Sequence, residues 1–210
     1  MSFELKIEPI IRAYNLLLRF SIYNRQNCIA VAAIGLARMK KTVLNRGEVK
    51  ICSLPPGRWE DFKSLRLRSL KEEQMAFLSS YDDEANLGKD EWERRIKNVV
   101  FAIVDGKPIG MMTFVLRGRA KNDHIADIFG VYVEKKFRGK EIGDRLLGHV
   151  ISRIKKNDRI SKISLSVVAD QTPAVSLYMK YGFKVVGILE RELKLNGNYY
   201  DELVMEKILR

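Results

Sequence analysis

The sequence predicts one α/β domain of the α+β kind, in which a sheet of short strands is flanked by helices, preceded by a basic N-terminal extension. Three observations predict it. From residue 49 onward, short apolar strand-like runs alternate with amphipathic helical segments, the pattern of a mixed domain. Glycine, proline and asparagine turn residues separate the runs, and no repeat or low-complexity tract interrupts them. The length of 210 residues, 46% hydrophobic and 30% charged, suits a single domain with its own core plus an extension.

The elements follow in order. Residues 49–53 read as a strand, Pro55-Pro56-Gly57 as a break, and residues 58–79 as a helix with Phe62, Leu65, Leu67 and Leu70 available for a core face. Residues 89–97 form a second short helix. Residues 99–104 and 109–117 flank Asp105-Gly106-Lys107-Pro108, and Asp-Gly between apolar runs is a strong hairpin signal. Residues 125–133 read as a strand, and residues 142–156 as a helix with Leu146, Leu147, Val150 and Ile154 along one face. After a strand at 163–168, the helix at 173–181 begins at a proline and ends at Gly182. Strands at 183–189 and 202–208, with Asn196-Gly197-Asn198 turning between them, complete the sheet.

The net charge is +12. Half of that excess lies in residues 1–47, which carry eight Lys/Arg against two Glu. The remainder of the chain is mildly basic, which suits a polyanionic ligand and does not require nucleic acid. Within the extension, Ile10, Tyr14, Leu17 and Leu18 recur at helical spacing, so residues 1–47 are expected to be helical or mobile and residues 48–210 to form the domain. Met39 precedes the first convincing strand and is read as the physiological start, with residues 1–38 as upstream read-through. The apolar stretch 28–37 is too short to span a bilayer at about 1.5 Å per helical residue, and no cleavage site follows it. Its Arg-rich setting resembles a transit peptide, but serines are few. Two distant cysteines, Cys28 and Cys52, point to a reducing, cytoplasmic compartment. With His124 and His149 isolated, no metal-ligand spacing is present.

The informative segment runs strand, basic glycine loop, helix. Val131-Tyr132-Val133 leads into Arg138-Gly139-Lys140-Glu141-Ile142-Gly143-Asp144. Free backbone N–H groups and the positive end of a helix dipole make such a junction an anion site, and its glycines let the backbone approach phosphate oxygens. A glycine pair of this kind is, by itself, more often a tight turn. A second segment, from Ala174 through Leu177-Tyr178 to Tyr181-Gly182-Phe183, stands about thirty residues on.

Together the two segments closely resemble the GCN5-related N-acetyltransferase (GNAT) superfamily, whose loop follows R/Q-x-x-G-x-G/A and whose later helix carries N-x-x-A-x-x-L-Y-x-x-x-G-F. The resemblance runs roughly from residue 49 to 210 and implies the GNAT fold, a central mixed, mostly antiparallel, splayed sheet. It also implies acetyl-CoA as co-substrate, an amine as acceptor and direct transfer in a ternary complex. Glu141 stands where the pattern has its first glycine, and Gln171 where the helix motif has asparagine. With a helical φ, Glu141 is expected to turn its carboxylate to water, which makes the first glycine dispensable. Gln171 keeps the amide chemistry for the pantetheine arm on a longer stem.

By the same resemblance Tyr178 donates a proton to the departing thiolate, with a pKa near 10 balancing the transfer; it also reads as a ring packed beside Phe183. Main-chain N–H groups of Val131, Tyr132 and Val133 are expected to polarise the thioester carbonyl. For the base, Ile125, Asp127, Phe129, Val131 and Val133 share one face at two-residue period. Asp127 reads equally as that base or as a solvated strand residue; His124 is a weaker candidate. Glu190, Glu192, Tyr199 and Asp201 are candidates to orient a cationic substrate. Three function classes therefore stand: an N-acetyltransferase of a small molecule, amino acid or peptide; a silent acyl-CoA-binding sensor; and a basic arm contacting nucleic acid, which no aromatic stacking motif supports. A homodimer is left open and no membrane is expected.

Overall fold

The computed structural model describes residues 48–209, so the extension at 1–47, its helical spacing, Cys28 and Met39 lie outside the described residues. Seven strands run β1 (Lys50–Cys52), β2 (Val99–Val104), β3 (Lys107–Leu116), β4 (Ile125–Val133), β5 (Lys162–Val168), β6 (Lys184–Leu195) and β7 (Asn198–Ile208). The helices are α1 (Trp59–Glu72), α2 (Tyr81–Ala85), α3 (Lys89–Ile96), α4 (Ile142–Lys155) and α5 (Thr172–Lys180). One mixed sheet holds all seven strands in the order β1-β2-β3-β4-β5-β7-β6. All neighbours are antiparallel except β4 and β5. That parallel step requires the crossover through α4.

Both tight hairpins follow from their turn residues. Asp105-Gly106 and Asn196-Gly197 have positive φ at both positions, +49° and +76° in the first and +49° and +81° in the second. This is the type I′ geometry that matches strand twist. Because β6 and β7 meet at a two-residue turn, they are longer than their apolar runs suggest. A bulge explains the difference: Leu189 pairs with Glu202 and Leu193 with Tyr200, so residues 190–192 oppose Asp201 alone and the alternation is lost.

Register assigns the two sheet faces. Phe101, Met111 and Tyr132 lie on the face covered by α1 and α3, where they pack with Phe62, Leu65, Trp92 and Ile96. Phe62 meets Trp92 and Phe101 edge-on, with ring centroids 5.3 and 5.8 Å apart. The opposite face is covered by α4, which buries Ile142, Leu146, Leu147, Val150, Ile151 and Ile154 at three- and four-residue spacing. Each such side chain contributes about 1.5–3 kcal/mol relative to exposure. Helix α1 ends at Glu72 rather than at 79, because Glu73 leaves the helical region at φ −132°, ψ 57°. Residues 76–79 are thereby freed to line a cleft. The short α2 is held by a capping box in which Ser80 and Asp83 cap each other's N–H groups.

Candidate active site

Strands β4 and β5 pair only at Ile125–Lys162, Ala126–Ile163 and Asp127–Ser164, and beyond Asp127 they splay. The splay opens a cleft of about 550 Å³ lined by both strands, by residues 76–79 and by Gln171, Ala174, Tyr178 and Glu202. A β-bulge in β4 shapes its wall. Met111 pairs with Tyr132 but Thr113 with Phe129, so Gly130 and Val131 together oppose Met112. Gly130 has φ +63°, and a Cβ there would come within 3.1 Å of Thr113 Oγ1, so both conformation and space demand glycine.

The bulge corrects the expected face. Asp127 and Phe129 do lie on the α1 face, but Tyr132 joins them and Val133 turns to the α4 face. The Tyr132 side chain is core: it is buried, it donates to Glu72 Oε2 at 2.8 Å, and burial pushes its hydroxyl above the ordinary value. Its N–H is not free either, since Tyr132 pairs with Met111 of β3 in the same hydrogen-bonding phase as Glu134 with Ile109, which corrects the expectation of a main-chain donor at Tyr132. The Glu134 N–H turns toward β3, donating to the Ile109 carbonyl, so by strand alternation the N–H of Val133 faces the open edge.

That edge leads to the start of α4. Arg145 is the first residue to donate back along this helix, to the Glu141 carbonyl at 2.9 Å, which leaves the N–H groups of Ile142, Gly143 and Asp144 without an intrahelical acceptor. A Cβ on Gly143 would touch Leu177 Cδ2 at 3.4 Å, so α5 packs closely against this turn. Such a helix start suits the diphosphate of coenzyme A. Arg138 is steadied rather than free: its Nε donates to the Val133 carbonyl and its Nη2 to Glu73, both at 2.9 Å. Lys140 donates to the Lys136 carbonyl at 3.0 Å. The Asp144 carboxylate is taken up by Lys180 and Tyr181 of the α5 end, and this pairing with Lys180 holds it below the usual carboxylate range. Asp144 therefore offers its N–H, not its side chain.

Glu141 departs from the expectation. It adopts φ +58°, ψ 15°, the left-handed conformation, as the residue capping α4, and its side chain makes no capping bond. A β-carbon in this region costs about 1–2 kcal/mol, which is the reason a glycine belongs there. The position is occupied by Glu at a conformational cost, so the glycine is not dispensable without penalty.

Tyr178 sits on α5, on the α4 side of the sheet, 4% exposed and edge-on to Phe183 with centroids 5.9 Å apart. Ring packing and a place in the cleft wall hold together. Burial pushes its hydroxyl above the ordinary tyrosine value rather than leaving it near 10, so it is a protonated donor. Gln171 ends the loop before α5, its carbonyl accepting from Ala174 and Val175, and it lines the cleft. The α5 helix stops at Gly182, φ +83°.

On the α1 face, the Asp127 carboxylate is fully engaged, accepting from Arg117 Nε and Nη2 at 2.7 Å each. Arg66 lines the same cleft and donates from Nε and Nη2 to the buried Glu84 at 3.0 and 2.7 Å. Burial pushes the Glu84 carboxyl up, but Arg66 and Arg95 outweigh it and hold it below the usual range. Arg66 Nη1 is buried and has no hydrogen-bond partner among the described residues. Arg66 forms a wall shared by the cleft and an adjoining cavity of about 320 Å³ lined also by Arg94, Arg95, Asn98 and Thr113.

The comparisons with known proteins agree with this architecture. A sequence model of the Acetyltransferase (GNAT) family matches residues 60–183. The chain belongs to the GNAT acetyltransferase family. It is 30% identical over 123 residues to the L-amino acid N-acetyltransferase AaaT of Escherichia coli (strain K12), covering 56% of this chain and 75% of that relative. Among solved structures, a GNAT-family acetyltransferase from Streptococcus pneumoniae superposes with a TM-score of 0.70 at 24% identity, over 77% of this chain and 100% of that one. The yncA structure from Salmonella typhimurium, solved with its cofactor acetyl-CoA, gives 0.67 at 16% identity over 78% and 95%. These likenesses match the mostly antiparallel, splayed sheet found here. As a GNAT acetyltransferase the protein belongs to a family that uses acetyl-CoA.

Sequence reading missed three residues of this site. Gly130 carried a signal, since a lone glycine inside a strand pattern marks a bulge. Arg66 was hidden on a helix whose polar positions looked solvated, and Glu202 stood at the expected start of a strand.

Proposed function

We propose that this GNAT acetyltransferase moves an acetyl group from acetyl-CoA to the amine of a free amino acid, directly and within a ternary complex. The observation that carries this reading is the β4–β5 splay, which joins a helix start with free N–H groups to a cleft walled by Tyr178. Acetyl-CoA would supply an activated acetyl thioester. The N–H groups of Ile142, Gly143 and Asp144, with Arg138, Lys140 and the main chain of Gly139 and Glu141, would hold its diphosphate. Gln171 would hold its amide-bearing arm. The β4 main chain offers the open-edge N–H of Val133 to the carbonyl, with Val131 beside it, while the N–H of Tyr132 turns back toward β3; Tyr178 holds the proton for the departing sulfur.

Two features support an amino acid as the acceptor. The Escherichia coli relative is an L-amino acid N-acetyltransferase. In this chain, Arg66 lines the α1 side of the cleft as a cation whose guanidinium Nη1 has no partner among the described residues, a setting that suits a carboxylate drawn to this wall. Free Cys52 is consistent with a reducing, cytoplasmic setting. The test is thiol release from acetyl-CoA with panels of amino acids, polyamines, aminoglycosides and short peptides. Turnover on amino acids is expected. Cofactor binding with no release on any amine would instead make the chain a silent acyl-CoA-binding module.

A further inference from the structure

Direct transfer needs the acceptor's ammonium to lose a proton before attack, and the register shows which carboxylates stand where the acceptor must enter. Tyr178 reaches the cleft from the α4 side of the sheet. The attacking amine and the departing sulfur occupy different sides of the carbonyl carbon, so a base is sought on the α1 face. Asp127 pairs with Ser164, and Ser164, Ser166 and Val168 pair in turn with Glu206, Val204 and Glu202. Asp127, Glu202 and Glu206 therefore share that face.

Two of the three are committed. Asp127 is gripped by Arg117 through both oxygens, and Glu206 accepts from Lys162 at 2.8 Å. Among the described residues none donates to Glu202, although it is 8% exposed and lines the cleft. Its charged surroundings are few. The β6 bulge carries Glu192 toward it, while β5 presents Ser166 and Val168, and Arg66 and Arg117 stand elsewhere on the cleft wall. A carboxylate with no donor and little water is a stronger proton acceptor than one held by a guanidinium.

We infer that Glu202 is the general base, taking the proton from the acceptor's ammonium on the face opposite Tyr178. This rests on the N-acetyltransferase reading above. Glu202 removes one proton from the ammonium and releases it to solvent. The neutral nitrogen forms the new C–N bond, and the C–S bond breaks as Tyr178 gives its proton to sulfur. The second proton leaves nitrogen by the same route through Glu202, and a proton from solvent restores Tyr178 once the thiol departs. Burial, reinforced by Glu192, pushes the Glu202 carboxyl above its ordinary value, which makes the carboxylate a stronger proton acceptor.

The test compares Glu202→Gln with Asp127→Asn and wild type, measuring kcat across pH 6–9.5, acetyl-CoA affinity by calorimetry and the melting temperature. A positioned base contributes about 10²–10⁴-fold, so Glu202→Gln is expected to lower kcat at least 100-fold at pH 7. The defect should shrink as the pH approaches the acceptor's own pKa, with cofactor affinity unchanged. Removing a buried, unpaired carboxylate should also raise the melting temperature at pH 7. Activity within threefold of wild type overturns the inference, as does a loss uniform across pH or a pH-dependent loss in Asp127→Asn alone. No turnover by wild type on any amine would overturn the underlying reading, and the inference with it.

Discussion

Replacing Glu141 with glycine tests whether the loop before α4 carries the strain its geometry indicates. The residue sits at φ +58°, ψ 15°, where a β-carbon costs about 1–2 kcal/mol. Glycine also gains freedom in the unfolded chain, which offsets about 0.4–1 kcal/mol of that relief. The expected net gain is about 0.5–1 kcal/mol, a rise of roughly 2–3 °C in melting temperature. The same substitution removes a carboxylate whose charge is felt by Lys180 across the helix start. Beside a bound diphosphate, a screened repulsion of about 1 kcal/mol would be lifted, so acetyl-CoA should bind about fivefold tighter. Glu141→Ala separates the two effects, since it removes the charge and keeps the β-carbon. Urea denaturation and calorimetric titration with acetyl-CoA, run on both variants, read stability and affinity independently. Glycine should improve both, alanine affinity alone. A glycine variant less stable than wild type, or an alanine variant stabilised equally, would refute the strain argument.

Further outcomes follow from the same geometry. Tyr178→Phe should lower kcat about 100-fold with acetyl-CoA affinity unchanged, because it keeps the ring contact with Phe183 and removes only the proton donor; wild-type activity would take Tyr178 out of the reaction. Since burial raises its folded-state pKa, no alkaline loss of activity from Tyr178 should be seen below pH 9. Arg66→Lys should raise KM for amino acids about tenfold and leave amines without a carboxylate unaffected, as steady-state kinetics on paired acceptors would show. Glu84→Ala should cost about 3–5 kcal/mol in urea unfolding, because it strands the buried Arg66 guanidinium. Glu84 has a folded-state pKa below its unfolded value. Its contribution is therefore complete above the ordinary carboxylate pKa and is lost as pH falls through the lowered one.

Much of the fold was legible in local chemistry. Asp105-Gly106 and Asn196-Gly197 specified type I′ hairpins, and the spacing of Leu146, Leu147, Val150 and Ile154 announced the buried face of α4. What stayed hidden was carried by irregularities that break a period. The Gly130 bulge exchanges the faces of Val133 and Tyr132, so strict alternation misassigned them. The bulge at residues 190–192 cut the β6 pattern short, and residues 74–79 look helical although Glu73 leaves the helix. At the site, motif spacing pointed to the helix start whose first N–H groups are free and to Tyr178, which lines the cleft. It did not rank the carboxylates, because the pairing of Asp127 with Arg117 and the isolation of Glu202 are set by cross-strand register.

Amino-acid acetylation is tested most directly by thiol release from acetyl-CoA by the full chain, with product mass determined for free L-amino acids and, in parallel, for the same amines lacking the carboxylate. N-acetylated amino acids are the expected products, formed at least tenfold more efficiently than their decarboxylated counterparts. Saturable acetyl-CoA binding with no acetylated product from either set would contradict it.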